Sequence, residues 1–364
     1  MHVLQSFKDY FPPTVGGVEG HIHQIVNNMQ GVEFTVLTSS RGRRTVRQNL
    51  DGVEVIRVAE YLRPASTPIM PSWRRHLKRV QVDLMHAHMP NPFGEICVLT
   101  TDTPPLVASY HADIVGRPRL AKAFAPLQQQ FFKRAHTIVV GSTRLADSAP
   151  VLAPHRTKVE VVPYGIDTLR WDTRPGQADE IRHRHPGPLV LFLGRHVHYK
   201  GLDILVEAMT EVDATCLIVG DGPKRRLTQD LVDSMGLGKK VLLPGRVPDS
   251  ERSAYYHAAD VFVLPSTNRA ESYGISMLEA MACATPAIST EVGTATSWIN
   301  QHRVTGLVVD PGNPAELAKA MRELLAEASL RADLGAAAAE RVKTDFSQRG
   351  MLELLRQVYM DAVA

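Results

Sequence analysis

Two carboxylates eight positions apart, Glu271 and Glu279, stand in the run ESYGISMLE, the first just before a glycine-containing turn and the second inside the apolar-periodic run that follows. The run VFVLPS (261–266) reads as a strand that has ended by then. The backbone N–H groups of about residues 274–276 are therefore expected to be free at a helix N-terminus. Such a terminus suits an anion or a cluster of hydroxyls. Ser272, Tyr273, Gly274 and Ile275 supply its backbone. A second turn of this kind lies upstream, where LVLFL (189–193) is followed by GRHVHYKG and an amphipathic segment from Leu202, with Arg195 and Lys200 as fixed cations. A third, GDGP (220–223), places Gly220 after another apolar run.

A departing diphosphate must be neutralised, either by a metal or by cations together with helix N-termini. A metal-using site of this kind is expected to show an Asp-x-Asp pair near a strand end, and the chain has none. Arg195 and Lys200 fill the other option, so no metal is expected. Glu279 lies beside Met277, Leu278 and Met281, where a carboxylate is costly without hydrogen-bond donors. Ribose hydroxyls would supply them; an exposed helix glutamate or a structural ion pair is the competing reading. The combination describes a pocket for a nucleotide sugar.

The elements that must position these residues alternate between short apolar runs and helix-period segments. A chain of 364 residues suits two domains. In the first half, strands are expected at 2–6, 34–39, 53–59, 83–88, 106–111 and 137–142, and helices near 17–29, 72–80, 119–135 and 143–149. In the second half, strands are expected at 189–193, 214–220, 240–245, 261–266, 286–290 and 306–310, each followed by a helical pattern. This alternation predicts two Rossmann-like α/β domains with parallel sheets covered on both faces. Residues 165–188 lose periodicity and collect glycines and prolines, which predicts a linker. The three turns all lie at strand C-ends, where ligands of open α/β sheets bind.

Charge is divided unevenly. Residues 1–170 carry 20 basic and 13 acidic groups, a balance of +7, and residues 171–364 carry 21 and 25, a balance of −4. An anionic partner of the first half is expected, though nothing suggests nucleic acid. Three cysteines without metal-ligand spacing argue for a reducing cytosol. The opening MHVLQSF reads as a strand, not a signal peptide, and no run reaches a membrane span. The basic segment SWRRHLKRV (72–80) suits either peripheral contact with an anionic membrane or ordinary packing on a sheet. His86 and His88 are spaced like metal ligands but lack a third. They read, with His21 and His23, as polar groups near the site.

The chain resembles the retaining GT-B glycosyltransferases of family four, the glycosyl transferases group 1, over nearly its whole length. The resemblance is carried, in order, by Gly16 and Gly17 after the first strand, VPYGID (162–167), FLGRHVHYKG (192–201), IVGDGP (218–223), PGRVPDSE (244–251), ESYGISMLEAMA (271–282) and TGLVVDPGNP (305–314). It implies two Rossmann-like domains facing across a cleft: 1–167 for the acceptor, 168–345 for the nucleotide-sugar donor, and a C-terminal helix 346–364 crossing back to the first. It implies that Arg195 and Lys200 clamp the pyrophosphate and Glu279 holds the ribose. Glu271, with the backbone of Ser272, Tyr273, Gly274 and Ile275, would cup the donor sugar and distal phosphate. Gly16 and Gly17 would approach the phosphates and acceptor, His111 the donor sugar, and Arg246, Val247 and Asp249 the base. Tyr164 departs from the family, which usually has Asn there. The expected reaction is retaining transfer of a hexosyl unit to a saccharide or lipid-linked hydroxyl. Similarity to bacterial polysaccharide mannosyltransferases, including ISTEVGTATSW (288–298), favours GDP-mannose. A UDP-glucose enzyme, a sugar-nucleotide epimerase and a phosphorylase are the alternatives.

Overall fold

The structure is a computed structural model describing residues 1–14, 16–113 and 118–364. The chain divides into two compact units, residues 1–164 with 349–364 and residues 165–348.

The first unit is built on an eight-stranded sheet. Its strands are β1 (His2–Ser6), β2 (Glu33–Ser39), β3 (Val46–Leu50), β4 (Val53–Val58), β5 (Leu84–Met89), β6 (Leu106–Tyr110), β7 (Thr137–Val140) and β8 (Val159–Val161). They lie in the order β3-β4-β2-β1-β5-β6-β7-β8, parallel except for the antiparallel β3–β4 pair. Consecutive strand residues point to opposite faces. Val3, Val36, Val55, Leu84 and Val107 accordingly enter one core, while Leu4, Leu37, Ile56, Met85 and Ala108 enter the other. Both faces are covered, which is why these strands read as unbroken apolar runs. The last helix, Gln348–Val363, sends Met351, Leu355, Val358, Tyr359 and Ala362 into the first of these cores.

The second unit holds a six-stranded parallel sheet of β9 (Leu189–Leu193), β10 (Thr215–Val219), β11 (Val241–Gly245), β12 (Val261–Leu264), β13 (Ala287–Thr290) and β14 (Gly306–Val309). The order β11-β10-β9-β12-β13-β14 reverses direction between β9 and β12. The C-ends of these two neighbouring strands form the topological switch point, the place where such sheets bind ligands.

Two features differ from the sequence expectation. Residues 165–188 are not an open linker: they form helices Thr168–Asp172 and Gln177–Arg184, with Trp171, Ala178 and Ile181 buried and the second helix packed on Arg252–Ala258. The glycines and prolines there punctuate short helices. Strands β3 and β8 and the helix Pro92–Leu99 are additional elements. The helix Trp73–Arg79 buries Trp73 and Leu77 in the core, so only its basic side reaches the surface. Packing on the sheet, one of the two readings of 72–80, is what the structure shows, with Arg74, Arg75, Lys78 and Arg79 exposed. Among the described residues, no helix is long and apolar enough to cross a membrane.

Candidate active site

The loops after β9 and β12 meet backbone to backbone. Gly201 adopts φ 63° with its α-hydrogen side against Pro265; a Cβ there would stand 2.0 Å from the Pro265 carbonyl oxygen. The Thr267 N–H donates to the Tyr199 carbonyl at 2.8 Å and ties the loops together. This approach sets Lys200 Nζ 2.5 Å from Glu271 Oε2, with both residues buried. Ser266 Oγ donates to the same carboxylate oxygen at 2.9 Å, and Thr294 Oγ1 donates to the Glu271 carbonyl at 2.6 Å. A buried ion pair of this kind is weak support for stability, because desolvation offsets most of its attraction. Its presence beside a strand switch point points to function instead.

The helix Ile275–Ala282 starts at Gly274, whose left-handed conformation (φ 88°, ψ 47°) turns the chain into it, and no side chain caps that end. Its first N–H groups are thus available to an anion, with the partial positive charge of the helix dipole behind them. Arg195 is exposed and holds no ion pair among the described residues. Gly220 (φ 130°) packs so closely that a Cβ would lie 1.9 Å from the Gly194 carbonyl oxygen, bringing the GDGP turn against the Arg195 loop.

Glu279 is buried, and its Oε2 accepts from the Arg252 guanidinium and from Tyr256 Oη, the latter at 2.7 Å. Burial raises the Glu279 carboxyl above its ordinary range against the pull of Arg252. Burial alone would lower the Arg252 pKa, but the neighbouring Glu279 charge overrides it and raises it. Arg252 also reaches Asp249 Oδ1 at 2.9 Å, and Arg170 takes Asp249 Oδ2 at 2.6 Å. Asp249 and Glu279 are therefore linked through one arginine. Arg246 is exposed and Val247 half-buried on the loop after β11, outside this network.

Gly16 caps the helix Gly17–Asn28 in extended conformation; a Cβ on it would meet the Glu19 carboxylate at 2.2 Å. His111 follows β6 and is buried with both ring nitrogens engaged: Nδ1 meets Tyr164 Oη and Nε2 meets His88 Nδ1 at 2.8 Å. His86 and His88 are likewise buried, bonded to Tyr359, Ser109 and Gln5, while His23 lies near the surface against Tyr10 and Asn27. Among the described residues, no three His, Cys, Asp or Glu side chains gather to hold a metal. Sequence reasoning missed Ser266, Thr294, Tyr256 and Gln5. Each is polar within or beside an apolar strand or helix, which was the only available signal.

A reversed-order parallel sheet bearing a lysine, a glutamate and an open helix N-terminus at its switch point, joined to a second Rossmann-like unit, defines the GT-B class of fold. The solved sucrose-phosphate synthase from Thermosynechococcus elongatus shares that fold at a TM-score of 0.84, covering 99% of this chain and 98% of that one at 20% identity. Residues 174–341 match the model of the glycosyl transferases group 1, and residues 15–170 that of Glycosyltransferase Family 4. The chain is 34% identical to the D-rhamnosyltransferase WbpZ of Pseudomonas aeruginosa over 95% of its length and 92% of that protein's. It is 31% identical to the O-antigen chain mannosyltransferase C of Escherichia coli, over 89% and 88% of the two chains. A GDP-mannose-dependent alpha-(1-6)-phosphatidylinositol monomannoside mannosyltransferase of Mycobacterium tuberculosis is 29% identical, over 91% of each. The chain belongs to this glycosyltransferase family and is a hexosyltransferase.

Proposed function

We propose that the enzyme moves a mannosyl unit from GDP-mannose to a hydroxyl of a saccharide or lipid-linked acceptor, in the cytoplasm and with retention at the anomeric carbon. The Lys200–Glu271 pair at the β9/β12 switch carries this reading. Lys200 and Arg195 take the diphosphate, and Glu279, through Oε1, takes the ribose. Glu271 and the backbone of 272–275 hold the sugar and distal phosphate. The family resemblance assigns Gly16 and Gly17 to the phosphates and acceptor, and His111 to the donor sugar. In the reaction the bond from the anomeric carbon to the phosphate oxygen breaks, the acceptor oxygen bonds to that carbon, and the acceptor proton passes to the leaving phosphate on the same face. Glu271 Oε2 is already bonded to Lys200 and Ser266, which blunts it as a nucleophile and supports this route over a covalent intermediate. A donor-by-acceptor screen read by product mass tests the assignment. Transfer of a hexosyl unit from GDP-mannose is expected, with free GDP formed only when acceptor is present.

Metal independence follows from the same residues. Turnover after exhaustive chelation is expected to stay near the untreated value, and a loss restored by Mg²⁺ or Mn²⁺ would overturn it.

The choice of base rests on the relatives' names and on Asp249. Its side chain is 64% exposed, and each oxygen has one lone pair left after Arg170 and Arg252 are served. Guanine offers N1–H and an exocyclic amine to such a carboxylate, whereas uracil offers only N3–H. Calorimetric titration is expected to show tighter binding of GDP than of UDP. Tighter UDP binding would shift the assignment to a UDP-glucose-dependent glucosyltransferase.

A further inference from the structure

The first unit contains a continuous buried chain of hydrogen bonds. It runs from Tyr164 Oη to His111 Nδ1, from His111 Nε2 to His88 Nδ1 (2.8 Å), and from His88 Nε2 to Gln5 Oε1 (2.7 Å). It continues from Gln5 Nε2 to Tyr359 Oη (2.9 Å), from there to His86 Nδ1 (2.6 Å), and from His86 Nε2 to Ser109 Oγ (2.7 Å). Every member other than Tyr164, which is 7% exposed, is below 5% exposed. His88 and His111 stack 3° from parallel, and His21 stacks on Tyr164 at 4.2 Å.

We propose that Tyr164 and His88 are positioning residues that lock His111 in one tautomer and one orientation. The direction of the chain follows from Gln5. Its carbonyl oxygen can only accept, so His88 Nε2 bears a proton and donates; neutral His88 then has a bare Nδ1, which accepts from His111 Nε2–H. His111 Nδ1 is in turn bare and accepts the Tyr164 hydroxyl proton. On the far side the Gln5 amide N–H donates to Tyr359, whose hydroxyl donates to His86 Nδ1, leaving His86 Nε2–H to donate to Ser109. The assignment needs all three histidines neutral. Burial lowers His86 to about 3 and drives His88 and His111 well below the usual imidazole value. No position in the chain has a choice once the amide is placed. With both ring nitrogens bonded inside the unit, the imidazole has no N–H or lone pair left for a sugar; the lock holds the residue, and with it the backbone of position 111, in place while substrate binds. The functional half of this inference rests on the proposed place of His111 at the donor sugar.

Histidine-labelled protein without substrate tests the order by long-range ¹H–¹⁵N spectra at neutral pH. His111, His88 and His86 are each expected to carry the proton on Nε2. A proton on His111 Nδ1 would mean the reverse order and overturn the inference, whatever the enzyme's substrate. Tyr164→Phe then removes the donor to His111 Nδ1. It is expected to move the Nδ1 resonance to that of an unbonded lone pair and to lower kcat about 10-fold, with nucleoside diphosphate affinity unchanged. An unchanged kcat in a folded Tyr164→Phe protein overturns the positioning role. If His111→Ala also keeps its kcat, the place of His111 at the sugar falls with it.

Discussion

Lys200→Ala is expected to lower kcat/KM by at least ~100-fold, equivalent to about 2.7 kcal/mol, because in the proposed reaction Lys200 faces charge that grows as the phosphate leaves. The structure adds a second consequence. Lys200 is buried against Glu271, so its removal strands a carboxylate whose one remaining side-chain donor among the described residues is the Ser266 hydroxyl. Breaking a buried pair from one side costs on the order of 3–5 kcal/mol. The variant is therefore expected to unfold at a lower temperature as well. Arg195→Ala, at an exposed position, is expected to show the kinetic loss without the thermal one. The two effects separate in the double variant Lys200→Ala/Glu271→Gln. Thermal unfolding should return toward wild type once the stranded charge is gone, while kcat/KM stays low. Steady-state kinetics and calorimetry on the four proteins decide it, and near-normal kcat/KM in Lys200→Ala removes the lysine from the phosphate clamp.

Glu279→Gln is expected to weaken nucleoside diphosphate binding at least ~10-fold, about 1.4 kcal/mol, with a smaller effect on kcat. A ribose contact is similar in ground and transition states, so its loss appears mainly in affinity. Arg252 would keep Asp249 at 2.9 Å, which limits damage to the fold. Isothermal titration of the free nucleotide checks this directly. Unchanged affinity would show that Glu279 serves only the Arg252–Tyr256 network.

How much of this was legible in the sequence depends on whether the signal was local. The six strands of the second unit stood out because strands covered on both faces are short, continuous apolar runs. The turns after β9, β10 and β12 were legible because glycine, lysine and glutamate fall at fixed distances from those runs. Strand β3, VRQNL, was missed because an edge strand with exposed Val46 and Arg47 has no apolar face to show. Strand β8 has only three residues. The helix Pro92–Leu99 did carry a signal: Asn91 caps it, Pro92 opens it, and Glu95 folds back onto the Asn91 N–H. Residues 165–188 misled because proline and glycine mark helix ends as readily as loops. The pairing of Lys200 with Glu271 spans 71 positions and that of Gln5 with Tyr359 spans 354. No local pattern encodes such contacts; the sheet topology creates them. Asp249 and Glu279 were assigned separate tasks, and only the structure shows that Arg252 joins them.

The borders of the two sheets have a bearing on how the protein behaves at high concentration. An open strand edge is a template on which another chain can pair and aggregate. Here β3 presents Arg47 in an ion pair with Glu54, β8 offers three residues with Glu160 exposed, β11 carries the exposed Pro244, which has no N–H to donate, and β14 has four residues. Each border is short, charged or interrupted. The fourteen strands among the described residues are thus assembled without a long apolar rim, and in the first unit the residues that guard the sheet against edge-to-edge fibre growth are the same ones that made β3 and β8 hard to recognise.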